Sequence, residues 1–277
     1  MTVSLKVTIL VDNHAGPGLA TEHGLAFWIE TGSTNILFDT GQGTALGPNA
    51  AALGIDLAAA HLVVLSHGHY DHTGGLPLVL GKAAQARVHC HPGVFASRFS
   101  IRDGAARAIG LPAPAQAALE ALPRLRLAQE TTGVRWSEHL GLTGGVPRRA
   151  AFEDTGGPFF LDEGGRQPDP IDDDQSLWAR TRHGLVVITG CCHSGLLNTL
   201  ERVRAVAGAD RIHAVIGGFH LSAASEHRMA KTIEGLRAHD PAQLIPCHCT
   251  GDAAVTALQA ALGDRVRPGA AGQVYEW

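Results

Sequence analysis

Leu62-Val63-Val64-Leu65-Ser66-His67-Gly68-His69-Tyr70-Asp71-His72-Thr73-Gly74-Gly75 is the stretch on which the reading of this 277-residue chain turns. Leu62 to Leu65 is an apolar run of the length expected for a buried strand. Thr73-Gly74-Gly75 reads as a turn into a helix. Between them, His67, His69, Asp71 and His72 place four metal-binding groups within six residues. A strand-to-helix loop lets short side chains converge on one point. Imidazole nitrogen and carboxylate oxygen suit zinc, iron or manganese. The bland alternative is a set of surface or core histidines that bind nothing, but a random loop rarely supplies this pattern directly after an apolar strand.

Upstream, Val3 to Leu10, Leu25 to Glu30 and Asn35 to Asp39 are predicted strands separated by Gly-rich breaks. The third closes as Ile36-Leu37-Phe38-Asp39-Thr40-Gly41. Gly41-Gln42-Gly43 through Gly47 resembles a phosphate loop, but lacks the dinucleotide spacing and reads as a turn. Leu57 to Ala60 is helix-like. Downstream, Ala86 to Cys90 predicts another strand, ended by His91-Pro92. Residues 95–170 change character: Ala, Pro and Gly become dense and periodicity fades, with a short helix at Ala115 to Leu122 and strands at Leu125 to Gln129 and His139 to Thr143. Such a segment within a compact domain is a functional lid, a variable insertion or a disordered link. Trp136, Phe159 and Phe160 favour an ordered lid within one domain spanning residues 1–277.

Clear order returns after residue 175. Gly184 to Gly190 is a predicted buried strand, Leu196 to Val206 an amphipathic helix, and Ile212 to Ile216 a strand running into Gly217-Gly218-Phe219-His220. Ser225 to Ala238 is a second helix, and Gln243 to Pro246 the last predicted strand. Strands alternating with helices imply an α/β arrangement. Each of these three strand ends carries metal-binding side chains: Cys191-Cys192-His193, His220, and Cys247-His248-Cys249. Cys191 and Cys192 could equally be small buried hydrophobes. His193 could bind metal, contact substrate or cap the following helix. Cys247 and Cys249 have Cys-x-Cys spacing, but two thiolates do not complete a zinc site.

The chain's net charge of −4 and its lack of a Lys/Arg run argue against a nucleic-acid partner. No apolar stretch approaches the roughly 18 residues that span a bilayer. The start of the chain alternates like a strand rather than forming a leader. Five cysteines, odd in number and without scaffold spacing, suit a reducing cytoplasm. Nothing in the pattern signals an oligomeric state.

His-x-His-x-Asp-His after an apolar strand resembles the signature of the metallo-β-lactamase superfamily. The resemblance implies an αββα four-layer sandwich, with two mixed β-sheets flanked by helices, and one or two divalent metal ions, zinc foremost with iron or manganese as alternatives. It implies that His67 and His69 hold one metal, and that Asp71 and His72 hold a second. Asp39 would brace a ligand histidine, though it could be a plain turn residue. Cys191 would take the bridging position, and His248 would be the terminal ligand of the second metal. The family's usual third histidine has no clear counterpart, since the surroundings of His139 do not match. His193 is expected to supply it. His220 is expected at the pocket rim, as a proton donor or substrate contact, with a terminal-ligand role as the alternative. Together, Phe-Asp-Thr-Gly, Gly-Cys-x-His-Ser-Gly, Gly-Gly-Phe-His-Leu and Pro-Cys-His-Cys-Thr-Gly resemble a branch that includes a dihydropterin-ribofuranosylaminobenzene-phosphate synthase. The implied function is hydrolysis of an ester, phosphoester or related small molecule by metal-activated water, with Asp71 and His220 as catalytic groups. The alternatives are a synthase-type transfer releasing diphosphate, with Arg148 and Arg149 binding phosphate, and a non-catalytic metal-binding module.

Overall fold

The computed structural model describes residues 2–208 and 211–277. Two mixed sheets face each other. The first has the strand order Val274–Glu276, Lys6–Val11, Ala26–Glu30, Asn35–Phe38, Leu62–Val64, Arg87–Cys90, Leu127–Gln129. Its pairings are antiparallel as far as Asn35–Phe38 and parallel beyond. The second has the order Gln243–Cys247, Ile212–Gly218, Gly184–Thr189, Ser176–Thr181, Leu140–Gly144, Thr132–Ser137. Its first two pairings are parallel and the rest antiparallel.

Strand alternation sorts the side chains into layers. Ile36 and Phe38 point into the space between the sheets with Phe27, Leu177, Ile188, Ile216 and Ile245. Leu37, Val63 and Val88 point the other way, against Leu46, Leu76, Val79 and Leu119 of the outer helices. On the second sheet, Val187, Val215 and Leu244 meet Leu196, Leu200 and Val203, a helical spacing on one face of Leu196–Ala207, together with Leu236 and Leu258. These buried sets account for four layers, helix on sheet on sheet on helix. Buried strands covered on both faces read as continuous apolar runs, which is why Leu62 to Leu65 and Leu185 to Ile188 stood out in the sequence.

The predicted elements form within a few residues of their expected bounds. Several others were not expected. Leu46–Ala52 follows the Gly41–Gly47 turn as a helix. Gln243–Cys247 is not the last strand: helix Asp252–Leu262 and edge strand Val274–Glu276 follow it. The edge strand pairs with Lys6–Val11, a partner far away in sequence. Residues 95–170 do not remain irregular. Thr132–Ser137 and Leu140–Gly144 complete the second sheet, while Phe99–Arg102, Ala105–Ala108 and Phe159–Phe160 form a separate three-stranded sheet.

Candidate metal centre

Five strands deliver side chains to one point at their carboxyl ends: Asn35–Phe38 through Asp39, Leu62–Val64 through the His67–His72 turn, Gly184–Thr189 through Cys191 and His193, Ile212–Gly218 through His220, and Gln243–Cys247 through His248. Loops at the carboxyl ends of parallel strands are where α/β sheets open a crevice. Asp39, Cys192, His220 and His248 all adopt a left-handed backbone, with φ of 60°, 58°, 46° and 47°. For non-glycine residues this costs on the order of 1 kcal/mol or more each, and such strain gathers at functional sites. It turns each chain sharply at the strand end.

Histidine nitrogens converge at this point. His67 Nε2 lies 3.0 Å from His69 Nδ1, and His193 Nε2 lies 3.1 Å from the same atom. His72 Nε2 is 3.1 Å from Cys191 Sγ. His248 Nε2 and His23 Nε2 approach Asp71 Oδ2 at 3.3 and 3.2 Å. In His67, His72, His193 and His248 the opposite ring nitrogen is tied to an oxygen, whereas His69 Nε2 is buried with no partner among the described residues. His72 Nδ1 meets Asp39 Oδ2 at 2.7 Å, His193 Nδ1 the Thr155 carbonyl at 2.9 Å, and His248 Nδ1 Asn13 Oδ1 at 2.8 Å. His67 Nδ1 meets the Ser66 hydroxyl, itself bonded to Asp39 Oδ2. A nitrogen that donates outward leaves its partner nitrogen as a lone pair facing inward. Lone pairs this close in a dry site repel one another, and a cation relieves that repulsion. The donor set therefore fits one or two divalent ions.

Electrostatics divide the imidazoles into two sets. Burial and the neighbouring imidazoles hold His67 and His193 well below the usual histidine range, and burial does the same for His69. Burial opposes charge on His72 as well, but the Asp39 carboxylate outweighs it and raises this pKa to about 9. Asp71 is buried, yet hydrogen bonds from His23 and His248 keep it ionised well below the carboxylate range.

Buried charged groups behind the donors fix the turn. The Gly68 amide donates to Asp173 Oδ2 at 2.8 Å, and Asp173 is gripped by the buried Arg98 guanidinium at 2.6 and 2.9 Å. Arg98 Nε also meets Asp169 at 2.9 Å. Gln175 holds the Leu65 carbonyl. The Ser194 amide donates to Asp174, whose buried carboxyl is pushed up to about 6.

The structure brings His67, His69, Asp71, His72, Cys191, His193 and His248 around one cleft, with the ring of His220 only 4.1 Å from that of His193. His67 stands within reach of both donor groups, of His69 with His193 and of His72 with Cys191, rather than of one alone. Sequence reasoning missed His23 and left Cys249 unassigned. His23 comes from the loop before strand Ala26–Glu30; its neighbour Gly24 packs so close that a Cβ would stand 2.6 Å from the Asp71 carbonyl. Cys247 and Cys249 part company: Cys247 lies in the intersheet core, while Cys249 lines the cleft beside Cys191. Cys192 packs among the outer helices. The proposed phosphate role of Arg148 and Arg149 is not supported. Arg148 donates to the carbonyls of His193 and Pro170 at 2.7 and 2.8 Å, a bracing role, and Arg149 faces a different surface depression. His139 sits on a turn near Ser137, away from the cleft.

The signature of the metallo-beta-lactamase superfamily matches residues 20–218. The chain belongs to the metallo-β-lactamase superfamily. It is 29% identical over 271 residues to the 7,8-dihydropterin-6-methyl-4-(beta-D-ribofuranosyl)-aminobenzene-5'-phosphate synthase of Methanocaldococcus jannaschii, covering 90% of this chain and 88% of that one. An uncharacterized protein of the same archaeon is 30% identical, covering 91% and 93%. A solved metal-dependent hydrolase of the β-lactamase superfamily superimposes with a TM-score of 0.82 at 30% identity, covering 99% of each chain. The metallo-β-lactamase fold protein YhfI from Bacillus subtilis shares the fold, with a TM-score of 0.59 at 11% identity. Among the described residues no helix is long and apolar enough to cross a membrane.

Proposed function

We propose that this chain is a metal-dependent hydrolase acting on an ester, phosphoester or related small molecule. The observation that carries this reading is the convergence of buried histidine nitrogens, those of His67, His72, His193 and His248 backed by oxygens, at the floor of an open cleft of about 590 Å³. His67, His69 and His193 form one donor group and His67, His72 and Cys191 a second; Cys191 also stands with His248 and Cys249, and Asp71 with His23 and His248. Divalent ions bound there, zinc foremost given the nitrogen and thiolate donors, supply Lewis acidity toward the attacked group and acidify water. Asp39 and Thr155 orient imidazoles from behind. Asp71, held as a carboxylate, accepts a proton or orients the attacking water. His220 lines the cleft beside His193, and so is placed to pass a proton to a leaving group. The open cleft favours catalysis over mere metal storage. All five cysteines are unpaired, which suits a reducing cytoplasm.

The similarity to a synthase along nine-tenths of the chain supports a second reading, in which the same donors assist departure of diphosphate in a transfer reaction. The test is a variant pair on metal-loaded protein against phosphodiesters, lactones, thioesters and pterin diphosphates. His193→Ala should lose metal. His220→Ala should keep metal and lose about 10²- to 10⁴-fold in turnover. Turnover of none of these substrates by fully loaded protein would count against both readings, and full activity in both variants would place the chemistry on other residues.

A further inference from the structure

The roof of the cleft is the three-stranded sheet of Phe99–Arg102, Ala105–Ala108 and Phe159–Phe160. Its register sets Phe159 opposite Ser100, and Ser100 opposite Arg107. Residues in register share a face, as do residues two apart along a strand. One face therefore carries Phe159, Ser100, Arg102 and Arg107, and all four line the cleft. Polarity is graded across this row. Phe159 lies over the donors, with ring centroids 5.5 Å from His69, 5.4 Å from His193 and 6.0 Å from His220. The guanidinium groups occupy the other end.

Neither arginine is neutralised. Among the described residues, Arg102 and Arg107 pair with no carboxylate, in a chain that carries net negative charge. Arg107 is nonetheless fixed. Its Nη2 donates to the Tyr70 hydroxyl at 3.2 Å and its guanidinium lies 5.2 Å from the Tyr70 ring centre. Tyr70 opens the helical turn that carries Asp71, so the cation is docked directly on the metal-binding loop. Two guanidinium forks aimed into a cleft, without an acid of their own, match a planar or tetrahedral oxyanion.

We propose that Arg102 and Arg107 form an anion subsite, which binds a phosphate- or carboxylate-type group of the substrate while Phe159 covers its apolar part next to the metal donors. This rests on the cleft being the active site. It narrows the substrate class to anionic small molecules with an apolar or aromatic body. It also places the anion contact on Arg102 and Arg107, which line the cleft, rather than on Arg148 and Arg149, which do not.

The test uses cobalt-loaded full-length protein, with inorganic diphosphate and malonate as probes of the roof and azide as a small anion that reaches the metals alone. Affinities are read by calorimetry for wild type, Arg102→Gln/Arg107→Gln and Arg102→Lys/Arg107→Lys. Both residues lie on an exposed hairpin, and matching circular dichroism and metal content establish that the variants fold. The glutamine pair should weaken one roof probe by about tenfold or more, leave azide within about twofold, and be partly rescued by lysine. A larger loss for diphosphate identifies a phosphate group, and a larger loss for malonate a carboxylate. Unchanged affinity for both roof probes overturns the subsite. Should the protein take up no metal, the metal reading fails separately. The same titrations on metal-free protein then decide the arginine pair: a persisting difference supports it, and equal affinities overturn it.

Discussion

The floor and the roof of the cleft are built in opposite ways. On the floor, buried imidazoles lean on Asp39, Thr155, Asn13 or Ser66, and the turn beneath them is locked by the buried Arg98–Asp173 pair. The roof is a hairpin whose strand Ala105–Ala108 is wholly exposed, and among the described residues its arginines have no acidic partner. Chemistry at fixed donors needs placement within a fraction of an ångström, which only a packed second shell supplies. Recognition of varied substrates tolerates a looser surface. Change should therefore be costly on the floor and cheap on the roof.

The largest effect is expected where a donor is removed. His69→Ala should lower metal affinity by at least about 100-fold, measured by competition with a chelator. Asp39→Asn keeps the shape but removes the charge behind His72, and should cost about 10- to 100-fold in the same measurement. Wild-type affinity in Asp39→Asn would show that His72 does not need its brace. Gly156→Ala probes the seam between floor and roof. A Cβ there would stand 1.9 Å from His220 Cδ2, at a φ of 85°. The displaced loop carries the Thr155 carbonyl off His193, so turnover should fall about 10-fold or more with the fold retained.

A smaller effect lies outside the cleft. His89 is buried edge-on against Trp136, both its nitrogens lack partners among the described residues, and burial lowers its pKa from 6.5 to about 4. A histidine with a depressed folded pKa favours the fold in full above pH 6.5, and that contribution is lost as pH falls from 6.5 toward 4. His89→Phe should remove this dependence. The wild type should then lose on the order of 2 kcal/mol more than the variant between pH 7.5 and pH 4.5, read by urea unfolding. Parallel curves would place the acid sensitivity elsewhere. The smallest effect is on the roof, where Arg102→Gln should leave unfolding stability within about 0.5 kcal/mol of wild type.

The same contrast explains what the sequence disclosed. Floor residues sit at the ends of buried strands, where apolar runs and compact His/Cys/Asp spacing are local signals. His67 to His72, Cys191, His193, His220 and His248 could be picked out for that reason. His23 could not, because it reaches Asp71 from a loop whose only mark is the adjacent Gly24. Cys249 could not be told from Cys247 without knowing which way the chain turns at His248. The roof depends on register between Ser100 and Phe159, some sixty residues apart, in strands of two and four residues. Neither strand has the length for a period-2 pattern to show. The edge strand Val274–Glu276 escaped for the same reason, and helix Asp252–Leu262 because it buries only Ala254 and Leu258. Arg148 and Arg149 are expected to bind phosphate only under the synthase-type alternative; in the fold, Arg148 satisfies backbone carbonyls instead.

We propose that the floor is a metal site in which Cys191 takes part. X-ray absorption on zinc-loaded wild type and Cys191→Ser tests it most directly. The wild type should bind one to two zinc ions per chain, with nitrogen or oxygen neighbours at about 2.0–2.1 Å and a sulfur neighbour at about 2.3 Å. The sulfur shell should disappear in Cys191→Ser while the imidazole signature remains. Failure of carefully prepared wild type to bind zinc, or a sulfur shell unchanged in Cys191→Ser, would contradict it.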